Sequence, residues 1–527
     1  MSTGTSKVVN LLGTSGIGDL ASLPAATSLN AEDLLLIEQA SENKSLSAAL
    51  LPGGAGFRID SFVYNDTTEA VEDVIDTYQD VVNDAKPCVV DGNNQVKYFL
   101  NRSDFRFKEN GEPANIYGFK TNTVVNISGT DYTVLATDFG NVVIRFPKMY
   151  YSHRYLLGKH YYQQSKYNFA GSKVHPAFKR YDANANDVIE VDYTNIGKYE
   201  GVLFDTSKNR CADGIYIDAS ITAVSATKTI TPVAPIQYLQ TGDVIKETTA
   251  VLGNANAVYT IDAVTRDANS QTTSFTVLEV INDVGSATTI SLRNDVDFES
   301  DKLMSVSGYK PLTYISQTEA RQLAENNGVK YSQQVYADWF LIQLLAAVKY
   351  STLNIQTELG SGKTGSNSDY KYVSVTGVSN ATGMADFIDN TINKELLGGS
   401  SIFGLEQLFG NLFKWIEGMM VNNWVISLSE DNSQFDVAGS FLNTGLELPH
   451  ANGYWGKIIN TDKGIFPATV DGSSANDLGD YFYQISGDRV GRVGGNLSSG
   501  AFAGLSFLYC NYSALDRSWY IGARVRS

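Results

Sequence analysis

Long apolar runs are missing from this chain. No stretch of about 18 apolar residues occurs, so no membrane-spanning helix and no membrane insertion are expected. Basic residues are in deficit, 40 Lys and Arg against 57 Asp and Glu, for a net charge of −17. Phosphate backbones need a basic surface, so nucleic acid is excluded as a partner. Cysteine is scarce and odd in number: Cys88, Cys211 and Cys510 lie far apart. That argues against a disulfide framework and for assembly in a reducing cytoplasm. The four histidines, His153, His160, His175 and His450, show no metal-ligand spacing. The opening MSTGTSKVVNLLGTSG has no apolar core of the kind a secretory leader carries. Residues 1–56 contain no Phe, Trp or Tyr and cannot build a core alone. They are expected to be a tail or an arm that orders against a partner, ending in the linker-like LPGGAG.

What is present points to strands. The 527 residues suffice for two to four domains, and 46 Gly, 30 Tyr and only 11 Pro suit a β-rich, loop-rich fold. The spacing of Val71, Val74, Ile75, Tyr78, Val81 and Val82 predicts a helix from Asp66 or Thr67 to Lys86, ended by Pro87, within a segment 57–87. Residues 88–205 alternate as strands. Residues 206–300 shift to Thr, Val, Ala and Ile with turn clusters, and read as a small inserted β domain. Residues 301–527 resume the larger domain. In it, Ser316 with Glu319 forms a capping box, and a buried helix is expected from Tyr331 to about Leu359. GSGKTG (360–365) imitates a phosphate loop, but Thr357 stands where the first glycine belongs and a helix precedes it. Nucleotide binding is therefore rejected.

The stretch organising the rest is GGNLSSGAFAGLSFLYCNYSALDRSWYIGARVRS (494–527), in a variable C-terminal region 489–527. Small and apolar residues suited to a frame are interleaved with Leu497, Ser498, Ser499, Phe502, Tyr509, Tyr512, Asp516, Arg517, Ser518, Trp519 and Tyr520. Tyr and Trp give large rigid contact area and Ser gives adaptable hydrogen bonds, which is the chemistry of a binding surface. An ordinary hairpin closing a core is the plainer reading of the same composition.

This stretch resembles the variable C-terminal repeat of phage and bacterial proteins diversified by retroelements. That is the major-tropism-determinant-like family, with a C-type-lectin / formylglycine-generating-enzyme-like fold. The glycines, Asn496 and the ending Ile521-Gly522-Ala523-Arg524 match its frame. Ser498, Ser499, Phe502, Tyr509, Tyr512, Asp516, Ser518 and Tyr520 stand where the family's template typically has Asn, and are changes that adenine replacement in an Asn codon makes. NVVIRFPKMYY (141–151), VHPAFKRYD (174–182), VDYTNIGKYEGVLFD (191–205) and GLEQLFGNLFKWIEGM (404–419) are similar to other parts of that fold, as are GYWGKI (453–458) and GIFPAT (464–469). The likeness covers about 85–204 and 300–527.

The resemblance implies an α+β, C-type-lectin-like domain interrupted by the insert. It also implies a phage tail receptor-binding protein that reads a host cell-surface protein or glycan. Residues 1–56 would attach to other virion tail proteins, and a homotrimer in the virion is expected. The sequence departs from the family where Gln407 replaces Asn and Lys414 replaces Glu, which puts any ion site there in doubt. His175 and Glu200 read as structural. Oxidases of the fold use paired cysteines, and Leu515 stands where a partner of Cys510 would be needed. No GxSxG elbow is present, so binding rather than catalysis is expected. Asp471, Asp477, Asp480 and Asp488 would hold Ca²⁺ only if they converged, and no motif specifies it. No cofactor is expected. A purely structural tail or baseplate component would carry the same sequence features, whereas a bacterial surface adhesin of the same fold would need a secretory leader, which the opening stretch does not show.

Overall fold

The computed structural model describes residues 59–527, apart from residues 76–79, 101, 104–106, 110–111, 115–123, 128–129, 134–139, 183–184, 238, 269–270, 366–368, 390–397, 430–441 and 477. The arm 1–56 therefore lies outside the described residues. Strands dominate and helices are few, an α+β, mostly β architecture.

An antiparallel sheet of five strands runs Lys173–Val174, Tyr150–Leu156, Lys159–Ser165, Asp60–Asn65 and Ala70–Ile75. Its last strand corrects the expected helix over 66–86. Asp66–Glu69 is a turn with Glu69 at φ 52°, and the chain folds back so that Tyr64 faces Val71 and Asn65 faces Ala70. Glu72 accepts from Asn65 Nδ2 of the neighbouring strand at 2.9 Å and pairs with Lys159 Nζ of the strand beyond it at 2.8 Å. The β-branched Val71, Val74 and Ile75 suit a strand as well as a helix face, and sheet partners decide between them. Among the described residues of this segment only Asp80–Asp84 is helical, with Val81 and Val82 buried.

A second sheet orders Ser332–Gln333, Val525–Arg526, Tyr193–Gly197, Asn141–Pro147, Lys86–Val90 and Val96–Phe99. The last residues are thus built into the frame. Ser527 and Asn195 exchange backbone hydrogen bonds of 3.0 Å, and Arg526 Nε lies 3.2 Å from buried Asp338.

The helix Tyr336–Tyr350 packs on Asp60–Asn65 and Ala70–Ile75 of the first sheet and on the strands Phe413–Asn422 and Gly464–Pro467, with Trp339, Phe340, Leu341, Leu344 and Leu345 buried. The helix expected over 331–359 is shorter and divided: Ser332–Gln333 is used as a strand, and Ser351 turns left-handed at φ 55° before a last turn at Ile355–Leu359. The Ser316 capping box forms in full and opens the helix Gln317–Glu325.

Residues 216–294 close into a six-stranded antiparallel barrel, in which Tyr216–Val224 pairs on one side with Thr229–Pro232 and on the other with Val284–Asn294. It has its own core, including Ile217, Ile230, Ile245, Tyr259, Phe275 and Ile290. Closure leaves no open sheet edge. Chain entry and exit are joined just outside it, where Val202–Asp205 pairs with both Arg210–Ala212 and Lys302–Met304.

The last large sheet carries the C-terminal stretch. Phe413–Asn422, Asp488–Val493, Leu508–Tyr512 and Tyr481–Gln484 are neighbours in it, with Ile521–Gly522 parallel to the start of Phe413–Asn422. The turn leading into it is made by Gly410 at φ 71° and Asn411 at φ 58°. Leu408, Phe413 and Trp415 are buried in the core.

Candidate functional site: the C-terminal surface

Gly494 and Gly495 start the stretch in left-handed backbone, φ 83° and 77°. A side chain on Gly494 would run into the Leu408 carbonyl oxygen. The chain then turns about Asn496, whose Oδ1 accepts from Ser498 N at 3.1 Å and from Ser499 Oγ at 2.9 Å. Ser499 Oγ in turn accepts from Asn496 N at 2.9 Å. Leu497 N donates to the Asn411 carbonyl at 3.1 Å.

Two expected contact residues are corrected by this turn. Leu497 is only 1% exposed, packed with Tyr370, Val373 and Leu412. Ser499 is buried because its hydroxyl closes the turn rather than facing outward. Ser498 is exposed.

The remaining expected residues lie at the surface or part-way into it. Phe502, 38% exposed, leans on Tyr481 with ring centroids 4.7 Å apart and on Tyr454 at 5.7 Å. Tyr509 and Tyr512 project from the strand Leu508–Tyr512, both half-buried. The hydroxyls of Tyr512 and Tyr520 touch, and Trp519 meets Tyr520 edge to face at 5.4 Å. Asp516 is exposed and accepts from Ser513 N at 2.7 Å. Arg517 reaches back to Glu319, Nε to Oε2 at 2.7 Å, tying the loop to the capped helix. The Ser518 carbonyl accepts from Tyr314 N at 3.1 Å.

The same surface holds residues that sequence reasoning missed. Leu515, considered there only as a missing thiol, is 68% exposed beside Asp516. Beneath the tyrosines lies Arg492, 1% exposed. Its guanidinium sits 3.9 Å from the Tyr512 ring centroid and 4.6 Å from that of Phe413, with Tyr509 and Tyr520 slightly farther. One amino group donates to Asn511 Oδ1, while Nε and Nη1 have no hydrogen-bond partner among the described residues. Ring faces rather than a carboxylate thus balance this cation. Burial pulls its pKa below the ordinary arginine value, and the neighbouring Tyr520 and Tyr512 oppose that shift. The DRVGRV strand with aromatics on its neighbours was the available signal.

The underside is fixed by buried polar groups. Trp339 Nε1 donates to the Leu505 carbonyl, and Gln343 Nε2 reaches the same oxygen at 3.2 Å. Asp480 accepts from Ser506 N and from Gln356 Nε2. Its pKa is raised to about 7, because burial outweighs those two hydrogen bonds.

Lys414 Nζ lies 3.0 Å from Glu200 Oε1, and Asn411 Nδ2 donates to Glu200 Oε2 at 2.6 Å, all in the core. The lysine ammonium sits where a cation would meet this carboxylate. His175 is fully buried, its Nδ1 accepting from Ala177 N at 3.2 Å, and burial holds its pKa well below the usual histidine value.

Of the acidic residues considered for Ca²⁺, Asp480 is buried, Asp471 and Asp488 are exposed, and Asp477 lies outside the described residues. Among the described residues no three His, Cys, Asp or Glu side chains come together to hold a metal ion. Cys510 is fully buried, its thiol pushed up to about 12 by burial, so it is not a thiolate at neutral pH. Lys363 of the GSGKTG segment is buried and donates to Ser374 Oγ at 2.8 Å. Among the described residues no helix is long and apolar enough to cross a membrane. No family model matches the chain, and no curated protein matches it.

Proposed function

We propose that the chain is a receptor-binding protein of a phage tail. Its C-type-lectin-like domain would display the C-terminal surface to a host cell-surface protein or glycan, and residues 1–56 would join it to other virion tail proteins in a homotrimer. The observation that carries this reading is the contrast within 494–527. Frame positions such as Gly494, Ala503, Leu505 and Ile521–Ser527 are buried, while Ser498, Phe502, Leu515, Asp516 and Arg517 are exposed beside half-buried Tyr509, Tyr512, Trp519 and Tyr520. Aromatic and Arg side chains on a rigid support are the composition of binding hot spots. Copies linked in one virion gain avidity by effective concentration, so each site needs only modest affinity. The role is recognition, without catalysis or a cofactor.

The test is binding of the purified chain to candidate bacterial host cells, wild type against a variant carrying Phe502→Ala, Leu515→Ala and Asp516→Ala. These three side chains are exposed and leave the Arg492 cage intact. Cell binding reduced tenfold or more, with an unchanged melting temperature, supports the reading. Equal binding by both proteins moves recognition elsewhere on the chain. Binding by neither points to a structural tail component.

A further inference from the structure

The barrel and the C-terminal stretch meet at a cleft of about 280 Å³, near the lower end of ligand-pocket sizes. Tyr216, Asp218 and Gln237 of the barrel line one side, and Asp369, Lys371 and Trp519 the other.

The walls are held in place. Gln237 accepts from Tyr216 N at 2.9 Å and donates to the Gly214 carbonyl at 2.8 Å. Gly214 N donates to the Lys310 carbonyl at 2.9 Å, and Lys310 N to Asp213 Oδ1 at 2.8 Å, where the barrel joins the larger domain. The Tyr216 ring lies 5.2 Å from that of Tyr314, and the Tyr314 amide holds the Ser518 carbonyl next to Trp519. The two sides of the cleft are thus joined through Tyr314.

Each charged side chain lining it has a partner, which for Asp218 is Arg293 outside the lining. Asp218 meets Arg293 at 2.8 Å, and Asp369 meets Lys371 at 3.5 Å. A charged ligand finds no uncompensated opposite charge, whereas hydroxyl groups find both acceptors and a donor. Trp519 adds a partly buried indole, packed on the cluster of Tyr370, Val373, Leu412 and Leu497. Extended peptides are commonly captured on a free sheet edge, and a closed barrel offers none.

We propose that this cleft binds a neutral saccharide. One pyranose ring lies with its C–H face on Trp519, and its hydroxyls bond to Asp218, Asp369 and Lys371. The barrel is then part of the recognition surface. The proposal rests on the recognition reading only in sharing Trp519 with it.

The test is an NMR titration of the full chain with the methyl glycosides of glucose, galactose, mannose and N-acetylglucosamine, with sialyllactose and trialanine as controls. At least one neutral glycoside is expected to bind. Trp519→Ala and Lys371→Ala should each raise its Kd tenfold or more, about 1.4 kcal/mol. Trp519→Phe should recover part of the loss, and Val329→Ala, at a fully exposed position away from both surfaces, should leave the Kd unchanged. The proposal is overturned if no neutral glycoside binds, if sialyllactose or the peptide binds in preference, or if folded Trp519→Ala binds as well as wild type. Glycoside binding without host-cell binding would sink only the receptor reading. Host-cell binding without glycoside binding would sink only this one.

Discussion

Neighbouring residues in the C-terminal turn have opposite fates, and the difference is measurable. Leu497 fills a pocket between Tyr370, Val373 and Leu412, so Leu497→Ala leaves a cavity and should cost about 2–5 kcal/mol. Ser498, one position on, is exposed, and Ser498→Ala should change stability by no more than about 0.5 kcal/mol. Urea denaturation of the two variants separates the cases, and similar values for both would contradict the inward placement of Leu497. The sequence pattern made the glycine frame and the outward Phe502 legible. It misplaced Leu497 and Ser499, because their direction is set by hydrogen bonds to Asn411 and Asn496 rather than by any period along the chain. Arg492 escaped notice for a related reason: its cage is assembled from Phe413, Tyr509, Tyr512 and Tyr520, which lie on three separate segments.

Local chemistry fixed some elements and left others to their partners. The Ser316–Glu319 box is a contact over three residues and forms as read. The first part of the expected 66–86 helix is a strand because the apolar spacing of Val71, Val74 and Ile75 suits both periods, and strand Asp60–Asn65 claims the backbone of Ala70–Ile75. At the base of the C-terminal surface, Asp480 joins the loop Tyr481 follows to the Leu505–Ser506 segment. Its folded-state pKa of about 7 lies above the ordinary aspartate value near 3.8, so the folded state holds a proton that the unfolded state releases earlier. The stabilisation from that proton is fully present below the unfolded pKa and is lost as pH rises through about 7. The melting temperature should therefore fall between pH 5 and pH 8, and Asp480→Asn, which carries no charge at any pH, should flatten that fall. An identical slope in wild type and variant would remove Asp480 as its source.

At the scale of the whole molecule, the composition shift over 206–300 was visible in the sequence, but barrel closure was not. The closing pair Tyr216–Val224 with Val284–Asn294 joins segments on either side of the other four strands, and no local period encodes such a pairing. Two features make the barrel separable. Its core, around Ile230, Phe275 and Ile290, is a cluster of its own, and its entry and exit strands are already paired at Leu203 with Leu303. Replacing residues 215–295 by a short Gly/Ser linker therefore closes a loop between ends that are already neighbours, at a small entropic cost. The shortened chain should fold and keep a main calorimetric transition, while a second transition present in the full chain disappears. A shortened chain that cannot be recovered folded would show that the barrel is required by the frame. If it folds, the surface around Phe502, Leu515 and Asp516 is intact in it and the Tyr216–Trp519 cleft is not. Its binding to host cells and to neutral glycosides then divides recognition between the two surfaces on a single molecule.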